Sequence, residues 1–218
     1  MFDKIYLLRE KGYYPDTILD IGAYHGTWTR HMKTLYNSKY YLFEAIDYVE
    51  LKHVTSDTVK VFNVVLNDKI EEVDWYQMKN SGDSFFKENT YHFDNSPVMK
   101  RETIDLNSFI LQQGILGDSK NILIKIDCQG AEIPILKGAS SILNKTDFII
   151  LEMPLFGQYN QGVPTFLKHI EFMDSIGFVT YDVLESHYIN NFNMQVDVLF
   201  INKNHKFNTI VNDMLKSS

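Results

Sequence analysis

Four acidic residues stand where an apolar run gives way to polar sequence: Asp20, Glu44, Asp127 and Glu152. The first opens Asp20-Ile21-Gly22-Ala23-Tyr24-His25-Gly26, which reads as a strand-to-helix turn. Gly22 permits a tight turn and close approach of a ligand to the backbone, and Gly26 lets the next helix pack near the strand. The helix start adds unpaired N–H groups. Glu44 closes the following apolar run, where one carboxylate can accept both hydroxyls of a ribose. This is the plan of a site for a nucleoside-bearing cofactor. A dinucleotide site would need Gly-x-Gly-x-x-Gly, whose second glycine admits the pyrophosphate. Here the spacing is Gly-x-x-x-Gly, and Asp20 is badly placed beside a pyrophosphate. It is better placed to anchor the loop or an amino group. S-adenosylmethionine carries a ribose and an amino acid but no phosphate, and it suits the pattern. The expected cofactor-binding residues are Asp20, Gly22, Ala23, Tyr24, Gly26, Glu44, Ala45, Asn67 and Asp127.

The reacting groups are expected nearby. Asp127 follows the run Ile122 to Ile126 and is the first candidate for a general base or a ligand of a substrate hydroxyl, or else caps the next helix. Lys125 points to the same face as Asp127. A lysine inside an apolar strand needs a partner, and Asp127, Glu132 and Glu152 are the choices. Glu132 either orients substrate or caps a helix. Glu152 either faces the ligand or is a solvated strand end. His187 lies between the last two strand runs and titrates near neutral pH, as a base or as a solvated loop residue. Asp127, Lys125, Glu152 and His187 form the expected catalytic set. Cys128, the lone cysteine, reads as a small packing residue beside them.

These residues need a scaffold, and its punctuation is that of alternating strands and helices. Strand runs are expected at Thr17 to Gly22, Tyr40 to Glu44, Val59 to Leu66, Ile122 to Asp127, Phe148 to Glu152, Val179 to Leu184 and Val196 to Ile201. Helices are expected at Thr27 to Tyr36, Ile46 to Val54, Glu132 to Leu143 and Pro164 to Ile176. Several strands are apolar throughout, as in a parallel sheet covered on both faces. Ligands then bind beyond the carboxyl ends of the strands, where strand order reverses. Ile70 to Asp105 breaks the rhythm and reads as an insertion over the ligand face. Val73 to Gln77 and Val98 to Arg101 would be a small strand pair within it. Ser84, Asn89 and Tyr91 could meet a polar substrate, and Phe85-Phe86 and Tyr91-His92-Phe93 could stack on it or simply pack the insertion down. The connection Glu185 to Gln195 is expected as a loop on the ligand face. The tail, Lys203 to Ser218, is a helix on the body or a partner contact.

Composition limits the classes. The 218 residues suit one domain with an insertion at about 70–105. With 21 Lys and Arg against 28 Asp and Glu the formal net charge is −7, which speaks against nucleic acid as a partner. A 44% hydrophobic and 22% charged composition is that of a globular chain. One cysteine excludes an internal disulfide or a cysteine-based zinc cluster. No apolar run is long enough to span a membrane and no secretory signal is visible, so a cytoplasmic protein is the expectation. Oligomeric state stays open.

Four blocks carry a resemblance: Ile18-Leu19-Asp20-Ile21-Gly22-Ala23, Phe43-Glu44-Ala45, Thr103-Ile104-Asp105, and Ile124-Lys125-Ile126-Asp127-Cys128-Gln129-Gly130-Ala131-Glu132 with the trailing Ile135-Leu136-Lys137-Gly138-Ala139. They resemble the FkbM family of S-adenosylmethionine-dependent methyltransferases, over roughly Thr17 to Ile201. The resemblance implies an α/β fold of the Rossmann-like class I methyltransferase type. Its seven-stranded sheet is mostly parallel with a reversed final strand, and helices cover both faces. It implies O-methylation of a sugar, glycan or small-metabolite hydroxyl. Some related enzymes use magnesium, for which Asp127 and Glu152 offer oxygens, but the spacing defines no site and no metal is assigned. The chain departs from the family pattern at Tyr24 (usually Asn), Ala45 (usually Pro) and Gln129 (usually Glu). Those departures keep a second class open, a methyltransferase-like binding module without activity. A nicotinamide-dependent oxidoreductase is the other alternative.

Overall fold

The computed structural model describes residues 1–216. Seven strands form the main sheet, in the order β3-β2-β1-β7-β8-β10-β9. They are β1 (Thr17–Ile21), β2 (Lys39–Glu44), β3 (Val59–Asn63), β7 (Ile122–Ile126), β8 (Thr146–Pro154), β9 (Phe178–Ile189) and β10 (Phe192–Asn202). Pairs from β3 through β8 are parallel, while β10 runs antiparallel to both β8 and β9. The chain builds outward from β1 to β3, then returns to place β7 on the other side of β1. The switch point of strand order is therefore the crevice between the carboxyl ends of β1 and β7.

Every residue of β1 and of β7 is buried. Alternate side chains feed two cores, because successive residues of a strand point to opposite faces. Leu19 and Ile21 join Ile124, Ile126 and Leu151 on the face covered by α4 (Leu106–Gln113), α5 (Glu132–Lys137) and α6 (Phe166–Ser175). Ile18 joins Leu123, Phe148 and Ile150 on the face covered by α1 (Phe2–Glu10), α2 (Thr27–Leu35), α3 (Val49–Lys52) and α7 (Lys206–Lys216). Asp20 and Lys125, register partners on β1 and β7, are charged residues in this second face. Among the described residues no helix is long and apolar enough to cross a membrane.

A second, three-stranded sheet of order β4-β6-β5 covers the stretch that broke the rhythm. It comprises β4 (Val65–Asn67), β5 (Glu72–Tyr76) and β6 (Val98–Asp105). β5 and β6 are antiparallel, and β4 joins β6 in parallel. β6 runs into α4, whose N-cap Asp105 accepts from the Ser108 N–H at 2.8 Å.

Four boundaries differ from the sequence reading. Val59 to Leu66 is two strands in two sheets: β3 ends at Asn63, the Val64 N–H donates to the Glu44 carbonyl, and β4 leaves for β6. A continuous apolar run does not show where a chain changes partners. The helix expected over Ile46 to Val54 shrinks to α3, because Glu44 takes the Ile46 N–H and bends the chain into a turn first. Glu132 to Leu143 breaks after Lys137. A Cβ on Gly138 would meet the Asn67 carbonyl oxygen at 2.6 Å, so the chain passes there as glycine. Finally, Glu185 to Gln195 is not a loop. β9 and β10 extend through it as a hairpin that turns at Asn190 and Asn191, with φ of +47° and +66°. Asparagine tolerates that conformation, which a two-residue hairpin turn requires. In the tail, Phe207 of α7 is buried against Phe148, and residues 217–218 lie outside the described residues.

Candidate active site

The glycine turn is shaped by contact with β7. Gly22 has φ +78°, and a Cβ there would fall 1.9 Å from the Asp127 carbonyl oxygen. The Asp127 N–H donates to Ile21 at 3.0 Å, so the ends of β1 and β7 are stitched together at this crossing. The Gly22 and Ala23 N–H groups donate to the Phe43 carbonyl at 2.9 and 3.2 Å, which ties the turn to β2 as well. Tyr24 follows at φ +49°, with its ring stacked on His25 at 3.8 Å. Gly26 is the left-handed N-cap of α2; its Cβ would meet Val54 at 2.9 Å, so it serves packing against the α3 region.

Glu44 ends β2 beside this turn. Its Oε2 accepts from the Tyr24 N–H at 2.7 Å and its Oε1 from the Ile46 N–H at 2.9 Å. Burial pushes its pKa up, and these backbone donors work against that. Each oxygen keeps a further acceptor position. The arrangement fixes a carboxylate with spare acceptors at the rim of a cavity of about 350 Å³. That volume lies within the usual range of small-ligand pockets, roughly 300–1,000 Å³.

The cavity is lined by apolar residues, Phe43, Val64, Leu66, Trp75 and Phe85, and by polar ones, Lys125, Asp127, Gln129, Glu185, His187 and Asp197. The turn from Asn80 to Ser84, within the expected insertion, also lines it. Asp83 organises that turn by accepting from the N–H groups of Met78 and Lys79 at 2.7 and 2.9 Å. Ser84 Oγ donates to the Cys128 carbonyl at 3.2 Å and fastens the turn to the β7 end. Phe93 is buried and Tyr91 is exposed, while Asn89 Nδ2 donates to the Gln158 carbonyl.

The polar part is a chain of charges. Lys125 Nζ sits 2.9 Å from Asp127 Oδ2 and 5.8 Å from the Trp28 ring centroid. Burial would strip the ammonium of its proton, but Asp127 and Asp20 outweigh it and hold its pKa above the usual lysine value. Burial likewise acts to raise Asp127, and Lys125 overcomes it, holding the carboxyl below its usual range. Gln129, at φ +53°, places its Nε2 3.3 Å from Asp127 Oδ1 and 2.8 Å from Glu152 Oε2. Gln195 Nε2 donates to the same Glu152 oxygen at 2.8 Å. Burial, then the charges of Asp127 and Asp197, push Glu152 well above its usual range. His187 Nε2 is 2.9 Å from Asp197 Oδ2; that hydrogen bond raises the imidazole pKa against the opposing effect of burial.

The expected site residues thus divide. Gly22, Ala23, Tyr24, Glu44, Ala45, Lys125, Asp127 and His187 line the cavity. Asp20, Gly26 and Asn67 do not. Asp20 is fully buried and accepts from Thr29 Oγ1 at 2.6 Å, which anchors α2 to β1. Asn67, at the end of β4, donates to Glu71 at 2.9 Å. Glu152 does not line the cavity itself and reaches it through its neighbours Asp127, Gln129 and His187. Glu132 is the cap of the turn after β7, accepting from the N–H groups of Cys128 and Gly130; burial lifts it to about 7. Burial also pushes the Cys128 thiol well up, which suits a packing residue. Lys125 and Gln129 commit both Asp127 oxygens, so Asp127 is a weak candidate for a base. The sequence reading passed over Asp83, Gln195 and Asp197. Asp197 carried a signal, a carboxylate within the apolar run Val196 to Ile201, by the same argument that singled out Lys125.

Among the described residues, ligand atoms of Glu152, His187 and Asp197 lie within 4.8 Å of one another, a spacing a metal ion can use. Each member of this group already has a partner in the chain: Asp197 the His187 imidazole at 2.9 Å, and Glu152 the amides of Gln129 and Gln195, both at 2.8 Å. Asp127, earlier considered as a metal ligand beside Glu152, is held by Lys125 instead.

Comparison with known proteins identifies the family and the fold. The profile of the methyltransferase FkbM domain matches residues 20–180. The chain belongs to the FkbM methyltransferase family. Solved structures share the fold of this FkbM chain at low identity. One is Burkholderia thailandensis 1,6-didemethyltoxoflavin-N1-methyltransferase with bound 1,6-didemethyltoxoflavin and S-adenosylhomocysteine. It is 9% identical with a TM-score of 0.50, over 88% of this chain and 72% of that one. Another is magnesium protoporphyrin IX methyltransferase from Synechocystis with bound S-adenosylhomocysteine, 8% identical with a TM-score of 0.50, over 92% of this chain and 81% of that one. No curated protein matches the sequence. All three FkbM departures have visible partners: the Tyr24 ring stacks on His25, the Ala45 carbonyl accepts from Arg101 at 2.7 Å, and Gln129 joins Asp127 to Glu152.

Proposed function

We propose that this chain transfers the methyl group of S-adenosylmethionine to a hydroxyl of a sugar, glycan or small metabolite. The observation that carries the reading is Glu44, a fixed carboxylate with spare acceptors, at the cavity rim beside the Gly22 to Tyr24 turn. Glu44 would hold the ribose hydroxyls, the turn backbone the amino-acid part, and the apolar part of the cavity the purine. The cofactor, when bound, supplies a methyl group activated by a sulfonium charge. The chain's own contribution is then positioning and control of a proton, which supply much of the barrier reduction in such transfers. The wall of Lys125, Asp127, Gln129 and His187 offers donors and acceptors to a neutral polar acceptor, which supports a hydroxyl.

The test is transfer of labelled methyl from S-adenosylmethionine to a polar extract of the source cells, followed by mass spectrometry of the labelled products. A methyl ether on a hydroxyl is the expected product. Label on nitrogen or carbon overturns the acceptor class. Binding of S-adenosylhomocysteine without any label transfer points to a binding module instead.

A further inference from the structure

The last hairpin brings two groups to the polar wall that the cofactor site does not use. Asp197 lies in β10 with its side chain only 4% exposed, while His187, on β9, lines the cavity with its side chain 40% exposed. Their pairing follows from register. His187 pairs with Gln195, so Asp197, two residues further along β10, is its diagonal neighbour on the same face. The resulting contact, from His187 Nε2 to Asp197 Oδ2, is 2.9 Å. With Nε2 committed, Nδ1 has no hydrogen-bond partner among the described residues. The other acids of the wall are engaged. Asp127 is bound to Lys125 and Gln129, and Glu152 Oε2 receives two amide donors.

We propose that His187 takes the proton of the acceptor hydroxyl through Nδ1, and that Asp197 is the positioning residue that fixes its ring and tautomer. This rests on the methyl-transfer reading above. As the acceptor oxygen attacks, its O–H proton passes to Nδ1 and an O–CH₃ bond forms. The C–S bond breaks and its electron pair stays on sulfur. The neutral tautomer that does this carries its hydrogen on Nε2, donated to Asp197, as in other base–carboxylate pairs.

The charged groups bearing on His187 are Asp197 from β10, Glu185 from β9, Glu152 from β8 and Asp127 just after β7, with the Met1 ammonium 3.8 Å from Glu185. The carboxylates favour the imidazolium, so transfer is expected to rise with pH as the ring loses its proton, through a value above the ordinary 6.5. Asp197→Asn removes the first of them and moves that rise to lower pH, while kcat falls and the KM for S-adenosylmethionine holds.

Two measurements test this. ¹⁵N–¹H spectra of the histidine rings, with His187 assigned by its loss in His187→Asn, read tautomer and titration in the folded wild-type protein. Nε2–H in the neutral ring, a midpoint above 6.5, and a lower midpoint in Asp197→Asn are expected. Label transfer to the polar extract is expected to fall about 100-fold or more in His187→Asn, the range of a lost general base. Added imidazole should restore part of it, with S-adenosylhomocysteine affinity unchanged. A neutral ring protonated on Nδ1, or undiminished transfer in His187→Asn, overturns the proposal. So does stoichiometric Mn²⁺ that broadens the His187 signals and is needed for transfer, because the three residues would then be a metal site. Failure of wild type to bind S-adenosylhomocysteine is a different result and refutes the cofactor reading instead.

Discussion

Lys125→Met isolates the electrostatics of the wall. The ammonium is buried, 2.9 Å from Asp127, and faces Asp20 across the β1–β7 pair. Asp20 is fully buried, and its Oδ1 has no hydrogen-bond partner among the described residues. Removing the lysine leaves both carboxylates without their cation. Breaking a buried pair on one side costs about 3–5 kcal/mol, because the charge left behind is uncompensated. For a chain of this size that is a fall in Tm of about 6–20 °C. The sign with pH follows from the two shifts. Asp127 lies below its unfolded value in wild type, so its contribution is present above that value and is lost as pH falls through the lower one. Lys125 lies above its unfolded value, so its contribution is present below that value and is lost as pH rises through the higher one. The gap between wild type and variant should therefore be full near pH 7 and narrow toward pH 4, where the variant's carboxylates take up protons. Urea unfolding followed by tryptophan fluorescence suits the test, since Trp28 lies beside Lys125. Lys125→Met/Asp127→Leu should recover part of the loss. A loss below about 1 kcal/mol, the value of a solvent-screened pair, would refute the reasoning.

Gly22→Ala puts a Cβ against the Asp127 carbonyl at a left-handed φ, so a loss of about 2 kcal/mol or more is expected in denaturant unfolding, together with loss of S-adenosylhomocysteine binding. Burial raises Asp147 to about 6; a raised carboxyl contributes stability below its unfolded value and loses it as pH rises through about 6. Asp147→Asn should therefore flatten the fall in Tm between pH 4 and 7 and exceed wild type at pH 8; an unchanged pH profile would contradict this. Cys128, its thiol pushed up by burial, should react with iodoacetamide at pH 7.5 at least about tenfold more slowly than a free cysteine, read by intact mass.

The central strands were legible in the sequence because burial on both faces leaves near-continuous apolar runs, as in Ile18 to Ile21 and Ile122 to Ile126, each interrupted by one charge, Asp20 and Lys125. The Gly22 turn and Glu44 were legible for a related reason: special conformations and acids at strand ends are rare unless the fold uses them. The second sheet was half legible. The β5–β6 pair shows alternation, but β4 is hidden in the run Val59 to Leu66, whose composition is silent on partners. The hairpin at Asn190-Asn191 had its turn signal, yet polar residues on both sides made the extended strands read as a loop. Asp20 was misplaced because a carboxylate at a strand end and one buried a residue earlier look alike in sequence. Only Thr29 and Lys125, brought close by the fold, distinguish them. Asp197 stood out as a carboxylate inside the run Val196 to Ile201, but its role was not legible, because it depends on a diagonal contact with His187.

A crystal structure with S-adenosylhomocysteine tests the central claim most directly. The ribose hydroxyls should lie within hydrogen-bond distance of the Glu44 carboxylate, with the amino-acid part against the Gly22 to Tyr24 backbone. A ligand bound elsewhere, or one in this cavity whose ribose does not touch Glu44, would contradict it.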